Sequence, residues 1–95
     1  MQFNQKEFGE RVRNTRKDRG FTQETLADAL NITREFITRI ENGKNVCSFD
    51  LLINIAKLLN CSTDYLLLGE ESEREVLRKE LRQITLQLSS FANKL

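Results

Sequence analysis

The side chains of this 95-residue chain that could do chemistry are guanidinium, amide and carboxylate groups, not nucleophiles or metal ligands. There is no histidine. There is also no glycine-rich phosphate loop, no pair of carboxylates in an apolar setting and no nucleophile beside a base, so enzyme chemistry finds no support. The two cysteines, Cys47 and Cys61, are too few for a zinc site. No metal and no cofactor is expected. Cys61 stands where an apolar residue would bridge two helices, which suits a buried free thiol, and Cys47 falls in a loop. A disulfide between them is not expected in a reducing compartment.

The polar groups concentrate in residues 22–43, TQETLADALNITREFITRIENG. Thr22 and Thr33 each precede an apolar periodic segment and suit helix N-caps. The first segment offers Leu26, Ala27 and Leu30 to a core. The second offers Ile37 and Ile40, with Phe36 beside them and a polar face left over. Asn31 between them tolerates the positive φ of a sharp turn. Two short helices across a tight turn make a helix-turn-helix, whose second helix can enter a DNA major groove.

This pattern resembles the Xre/Cro–cI family of bacterial and phage repressors. The resemblance rests on Thr22-Gln23, on Thr33 and on Ile40-Glu41-Asn42-Gly43, and covers about residues 5–69. It implies an all-α, five-helix lambda-repressor-like DNA-binding domain. Matched position by position, it implies base reading by Arg34, Glu35, Thr38 and Arg39. Arginine fits guanine O6 and N7, and glutamate accepts from the amino group of cytosine. The bland alternative is that Glu35 and Arg39, spaced i to i+4, pair with each other. Phe36 is open between core packing and a thymine contact. The resemblance also implies backbone phosphate contacts by Gln23, Thr33, Asn42, Lys44 and Asn45, and an ion pair between Arg16 and Glu41. For that pair the alternative is two independent surface charges.

Net charge is only +1, so the chain as a whole is not a basic object. Residues 1–20 nonetheless carry Lys6, Arg11, Arg13, Arg16, Lys17 and Arg19 against Glu7, Glu10 and Asp18. This local surplus suits steering toward phosphate, or simply a solvated helix face.

The positioning elements follow in chain order. Asn4 caps the first helix, with Glu7 completing a capping box and Phe3 and Phe8 set for a hydrophobic staple. That helix runs to about Arg19 and ends at Gly20. Phe21 plugs the core. Ser48 caps helix four, whose expected inward stripe is Phe49, Leu52, Ile55, Ala56 and Leu59. Leu51 and Leu58 are surplus to it, so something should cover them. Ser62 or Asp64 starts a short fifth helix that ends at Gly69.

Composition changes after residue 69, which divides the chain into a domain over 1–69 and a long amphipathic C-terminal helix over 70–95. Ser72 and Glu75 form a further capping box. Leu77, Leu81, Ile84, Leu88, Phe91 and Leu95 then recur at spacings of four and three, which is a heptad seam. Val76 and Leu86 lie off it. This helix could pair two subunits, fold back over Leu51 and Leu58, combine the two by covering those leucines across a dimer so that they join the dimerisation residues, or bind another protein such as an antirepressor or a toxin.

The expected function is a sequence-specific transcriptional regulator, a repressor by resemblance, that binds a palindromic double-stranded operator as a homodimer. The alternative is a protein-interaction module or an antitoxin-type regulator whose last helix holds a partner. No segment is apolar enough to span a membrane and the start MQFNQKEFGE is too polar for a signal peptide, so a cytoplasmic location is expected.

Overall fold

A computed structural model of the chain describes residues 2–71 and 73–94. Among these residues there are six helices and no strand: α1 (Gln5–Asp18), α2 (Gln23–Leu30), α3 (Arg34–Glu41), α4 (Phe49–Leu59), α5 (Thr63–Leu68) and α6 (Glu73–Asn93). The all-α fold expected from the sequence is the fold observed.

Local chemistry decides where these helices begin. A cap oxygen accepts from a first-turn amide in each of the first five. Asn4 takes Glu7 N, Thr22 takes Thr25 N, Thr33 takes Phe36 N, Ser48 takes Leu51 N and Ser62 takes Tyr65 N, at 2.9–3.2 Å. Each bond satisfies a donor that the helix itself leaves unpaired, worth about 1 kcal/mol. Thr22 and Thr25 close a reciprocal capping box, and the Phe3 and Phe8 rings pack with centroids 5.7 Å apart. Asn31 and Asn60 end α2 and α4 in the left-handed conformation, φ 57° and 53°. The Ser72 half of the capping box expected for α6 lies outside the described residues, as does Leu95 of the seam.

The core is built from one face of each of the first five helices. Phe8 and Val12 come from α1, Leu26 and Ala27 from α2, Ile37 and Ile40 from α3, Leu52, Ile55, Ala56 and Leu59 from α4, and Leu66 from α5. Leu30, Phe21, Phe36 and Leu51 pack around it, half-buried. Phe49 does not join it. The expectation that Phe49 heads the inward stripe is wrong, since the ring is 84% exposed. Phe49 is the first residue of α4, at the rim of the core, and Cys47 from the preceding loop packs there instead.

The two thiols are free and half-buried. Burial pushes Cys61 up to about 11, and the nearby Glu75 carboxylate adds to the shift. Burial raises Cys47 as well.

Two arginines of α1 and its C-cap Arg19 turn inward. Arg11 donates to the carbonyls of Leu66 and Leu67 at 2.8 and 2.9 Å, and Arg19 donates to Leu59 O at 2.7 Å. They close the C-terminal ends of α5 and α4, where carbonyls lack helical partners. Arg16 is buried. Three of the six cations in residues 1–20 therefore serve the fold and do not form a free basic patch.

Helix α1 crosses α3 so closely that only glycine fits at position 9. A Cβ there would lie 2.2 Å from Ile40 O and 2.7 Å from Glu41 O, both backbone atoms that cannot swing aside. Gly9→Ala is expected to lower stability by about 3 kcal/mol. Glu10→Ala, at an exposed neighbouring site, should change it by less than about 0.5 kcal/mol. Urea midpoints of the two variants check the contrast.

Candidate nucleic-acid interface

Helix α3 has eight residues, too few to be stable alone, so its place depends on what it is packed against. Ile37 and Ile40 are fully buried beneath it, and Phe36 is half-buried against the same core. At 3.6 residues per turn this leaves positions 34, 35, 38 and 39 on the opposite side. Arg34, Glu35 and Arg39 are exposed and Thr38 is half-buried. Together these four line a shallow open depression. The i to i+4 pairing of Glu35 with Arg39 does not form. Among the described residues, no hydrogen bond or ion pair engages the side chains of Arg34, Glu35 or Arg39.

The last residue of α3 is fixed from below. The Glu41 side chain is 0% exposed. Arg16 of α1 grips it with two parallel bonds, Nε to Oε2 at 2.6 Å and Nη2 to Oε1 at 3.1 Å, and its Nη1 donates to Phe21 O at 2.9 Å. Arg16 and Glu41 are thus a buried pair, not two separate surface charges. Gln23 at the start of α2 donates from Nε2 to Glu41 Oε1 at 3.1 Å, and its Oε1 accepts from Thr38 Oγ1 at 3.3 Å. The Thr38 hydroxyl also has Arg34 O within 3.1 Å. Three helices meet on one carboxylate, and no buried side-chain polar atom among the described residues lacks a partner.

Arg13, read from the sequence only as part of the local cationic surplus, joins this cluster. Its Nε lies 3.5 Å from Glu41 Oε1, and its Nη2 donates to Asn42 Oδ1 at 2.9 Å. Its spacing of three from Arg16 on a helix was the available signal. Gln5 was missed, and donates to Gly43 O at 2.8 Å.

The remaining candidates surround α3. Thr33 caps it and is exposed. Asn42 ends it, and the amides of Lys44 and Asn45 both donate to Arg39 O. Lys44 is exposed and Asn45 half-buried. Elsewhere, Leu58 is 37% exposed while Leu51 is half-buried against its own core. Leu77, Leu81, Ile84, Leu88 and Phe91 are each 51–65% exposed. Helix α6 is therefore not folded back over Leu51 and Leu58.

A helix-turn-helix family model matches residues 12–66, which spans α2, α3 and the charges that hold them. The chain belongs to this helix-turn-helix family. It is a family of DNA-binding transcriptional regulators, not of enzymes. The HTH-type transcriptional regulator YqaE of Bacillus subtilis is 39% identical over 77 residues, 81% of this chain and 66% of YqaE. The SPbeta prophage-derived regulator YonR of the same organism is 36% identical over 66 residues. The chain spans just under two thirds of the length of these relatives, 66% and 61%. Among solved structures, the P22 c2 repressor in complex with a synthetic operator superposes with a TM-score of 0.64 at 30% identity, over 74% of this chain and 100% of that one. The restriction-modification controller protein C.AhdI from Aeromonas hydrophila gives 0.61 at 29% identity, over 65% and 94%.

The helix-turn-helix unit makes the value of its two arginines separable. Arg16→Ala strands a fully buried carboxylate and should cost about 3 kcal/mol. Arg13→Ala removes a side chain that is 36% exposed and should cost under about 1 kcal/mol. Denaturant titration of both variants measures the difference.

Proposed function

We propose that this chain is a cytoplasmic transcriptional repressor that binds a palindromic operator as a homodimer. The observation that carries the reading is the set of unengaged charges on α3. Arg34, Glu35 and Arg39 are exposed on a short helix whose opposite face is locked into the core. Nothing among the described residues engages their side chains, and they carry hydrogen-bonding groups suited to base edges. Arg34 or Arg39 is set to take guanine through two parallel bonds, and Glu35 to accept from cytosine. Thr38 lies between them. Gln23, Thr33, Asn42, Lys44 and Asn45 flank this face and supply the phosphate contacts that fix register without reading sequence.

Dimerisation follows from two further observations. One helix-turn-helix reads only a half-site, and two copies read sites about 34 Å apart or a multiple of that. Helix α6 presents a seam of leucine, isoleucine and phenylalanine to solvent. A single amphipathic helix cannot bury that seam alone, and pairing with a second copy does so by heptad packing. No helix among the described residues is long and apolar enough to cross a membrane.

Selection of bound sequences from a random DNA pool tests this reading. The expected product is two inverted half-sites containing G·C pairs. Arg34→Ala should relax one base position by about 1–3 kcal/mol and leave the others unchanged. Failure of the wild type to select any sequence would sink the proposal. Leu88→Asp should convert the dimer to monomer by sedimentation and abolish selection of paired half-sites while the α1–α5 unit stays folded.

A further inference from the structure

Among the described residues, no apolar side chain of helix α6 belongs to the buried core or to the half-buried residues packed around it. Charge ties it down instead. Arg82 forks onto Asp18 at the end of α1, Nη1 to Oδ1 at 2.7 Å and Nη2 to Oδ2 at 2.8 Å. Two turns earlier, Glu75 is buried and its Oε2 lies 3.6 Å from Arg19 Nη2. Arg19 in turn pairs with Asp18 and bonds Leu59 O. Asp18, Arg19, Glu75 and Arg82 thus form one chain of charges from α1 and the end of α4 to α6.

The register of α6 gives this chain its significance. At 100° per residue, Glu75 and Arg82 lie within about 20° of each other around the helix. Residues 77, 81, 84, 88 and 91 centre about 200° away. The charged face holds the DNA-reading unit, and the apolar seam points directly outward from it. Gly69, with φ 76°, ends α5. The charge contacts run from α1 to the face of α6 that lies opposite the seam.

We propose that the Asp18–Arg82 pair is a positioning element that sets the distance and angle between the two recognition helices, and hence the half-site spacing of the operator. The inference rests on the homodimer reading above. Neither residue touches DNA in it. A single exposed ion pair adds little to stability, but here it acts on direction, because no apolar side chain of α6 is anchored in the core and the buried Glu75 belongs to the same chain of charges.

The test measures affinity for paired half-sites whose centres are moved in single base-pair steps. Wild type, Asp18→Asn, Arg82→Gln and the double variant are compared. Wild type is expected to prefer one spacing over a site shifted by half a turn by a factor on the order of a hundred, since avidity is lost when geometry forbids both contacts. Each single variant should flatten that preference to within about fivefold, as a flexible tether does. The double variant should match Asp18→Asn, because removing the Asp18 carboxylate already removes the contact that Arg82 makes. Half-site sequence, affinity for an isolated half-site and the dimer in sedimentation should all stay as in wild type. Singles that keep the wild-type spacing preference would overturn the proposal. So would variants that lose the dimer, which would make the pair an assembly contact, or a double variant whose loss is the sum of the two. A wild type that binds isolated half-sites but selects no pairs would remove the homodimer reading itself.

Discussion

The carboxylate of Glu41 is the point on which the arrangement of this molecule depends. It stands at the last turn of the recognition helix, out of contact with water, and is reached by α1 through Arg16 and by α2 through Gln23. A charge so placed is a costly way to gain stability, because both partners give up hydration. What it provides is geometry. Helix α3 is too short to hold its own axis, and the apolar contacts of Ile37 and Ile40 are non-directional. The Arg16 fork accepts only one orientation of the carboxylate. The rotation of α3 about its axis, and with it the aim of Arg34 and Arg39, follows from that fork. The close passage of α1 over α3 at Gly9 fixes the remaining freedom, which is translation.

Thr38 joins this framework to the exposed face. Its hydroxyl reaches Gln23 on one side and the Arg34 carbonyl on the other. Gln23 is therefore shared between a buried carboxylate and a surface hydroxyl. A residue that stands at a helix N-terminus, where phosphate is favoured, is linked by hydrogen bonds to the middle of the reading helix.

Most of the fold was legible because it is written in short-range chemistry. Threonine, serine and asparagine before apolar runs mark the helix starts, and the 3.6-residue period marks the inward faces. Asn31 could be read as a left-handed turn residue for the same reason. The failures share a different cause. Phe49 obeys the period but sits at the rim of the core, and periodicity carries no information on where a core ends. The arginines of α1 and its C-cap looked like one basic surplus, yet Arg11, Arg16 and Arg19 each turn toward carbonyls or a carboxylate contributed by other elements. A long-range partner leaves no local trace in sequence. For the face of α3 opposite the core, the family resemblance named Arg34, Glu35, Thr38 and Arg39, and the structure places these four side by side. The absence of an Glu35–Arg39 pair, the role of Arg13 and the attachment of α6 required coordinates.

The separation of the core from α6 carries a consequence for dose. Among the described residues, every fully buried apolar residue lies between Phe8 and Leu66, so the apolar core of the α1–α5 unit draws nothing from α6. The proposed pairing through α6 would then change how many readers act together without changing what each one reads. Where subunits are mostly dissociated, the concentration of pairs rises as the square of total protein by mass action. Occupancy of a two-fold site would respond to a doubling of protein with a fourfold change in the binding species. A regulator built this way needs no small-molecule signal to act as a threshold. Its rate of synthesis and dilution is itself the input.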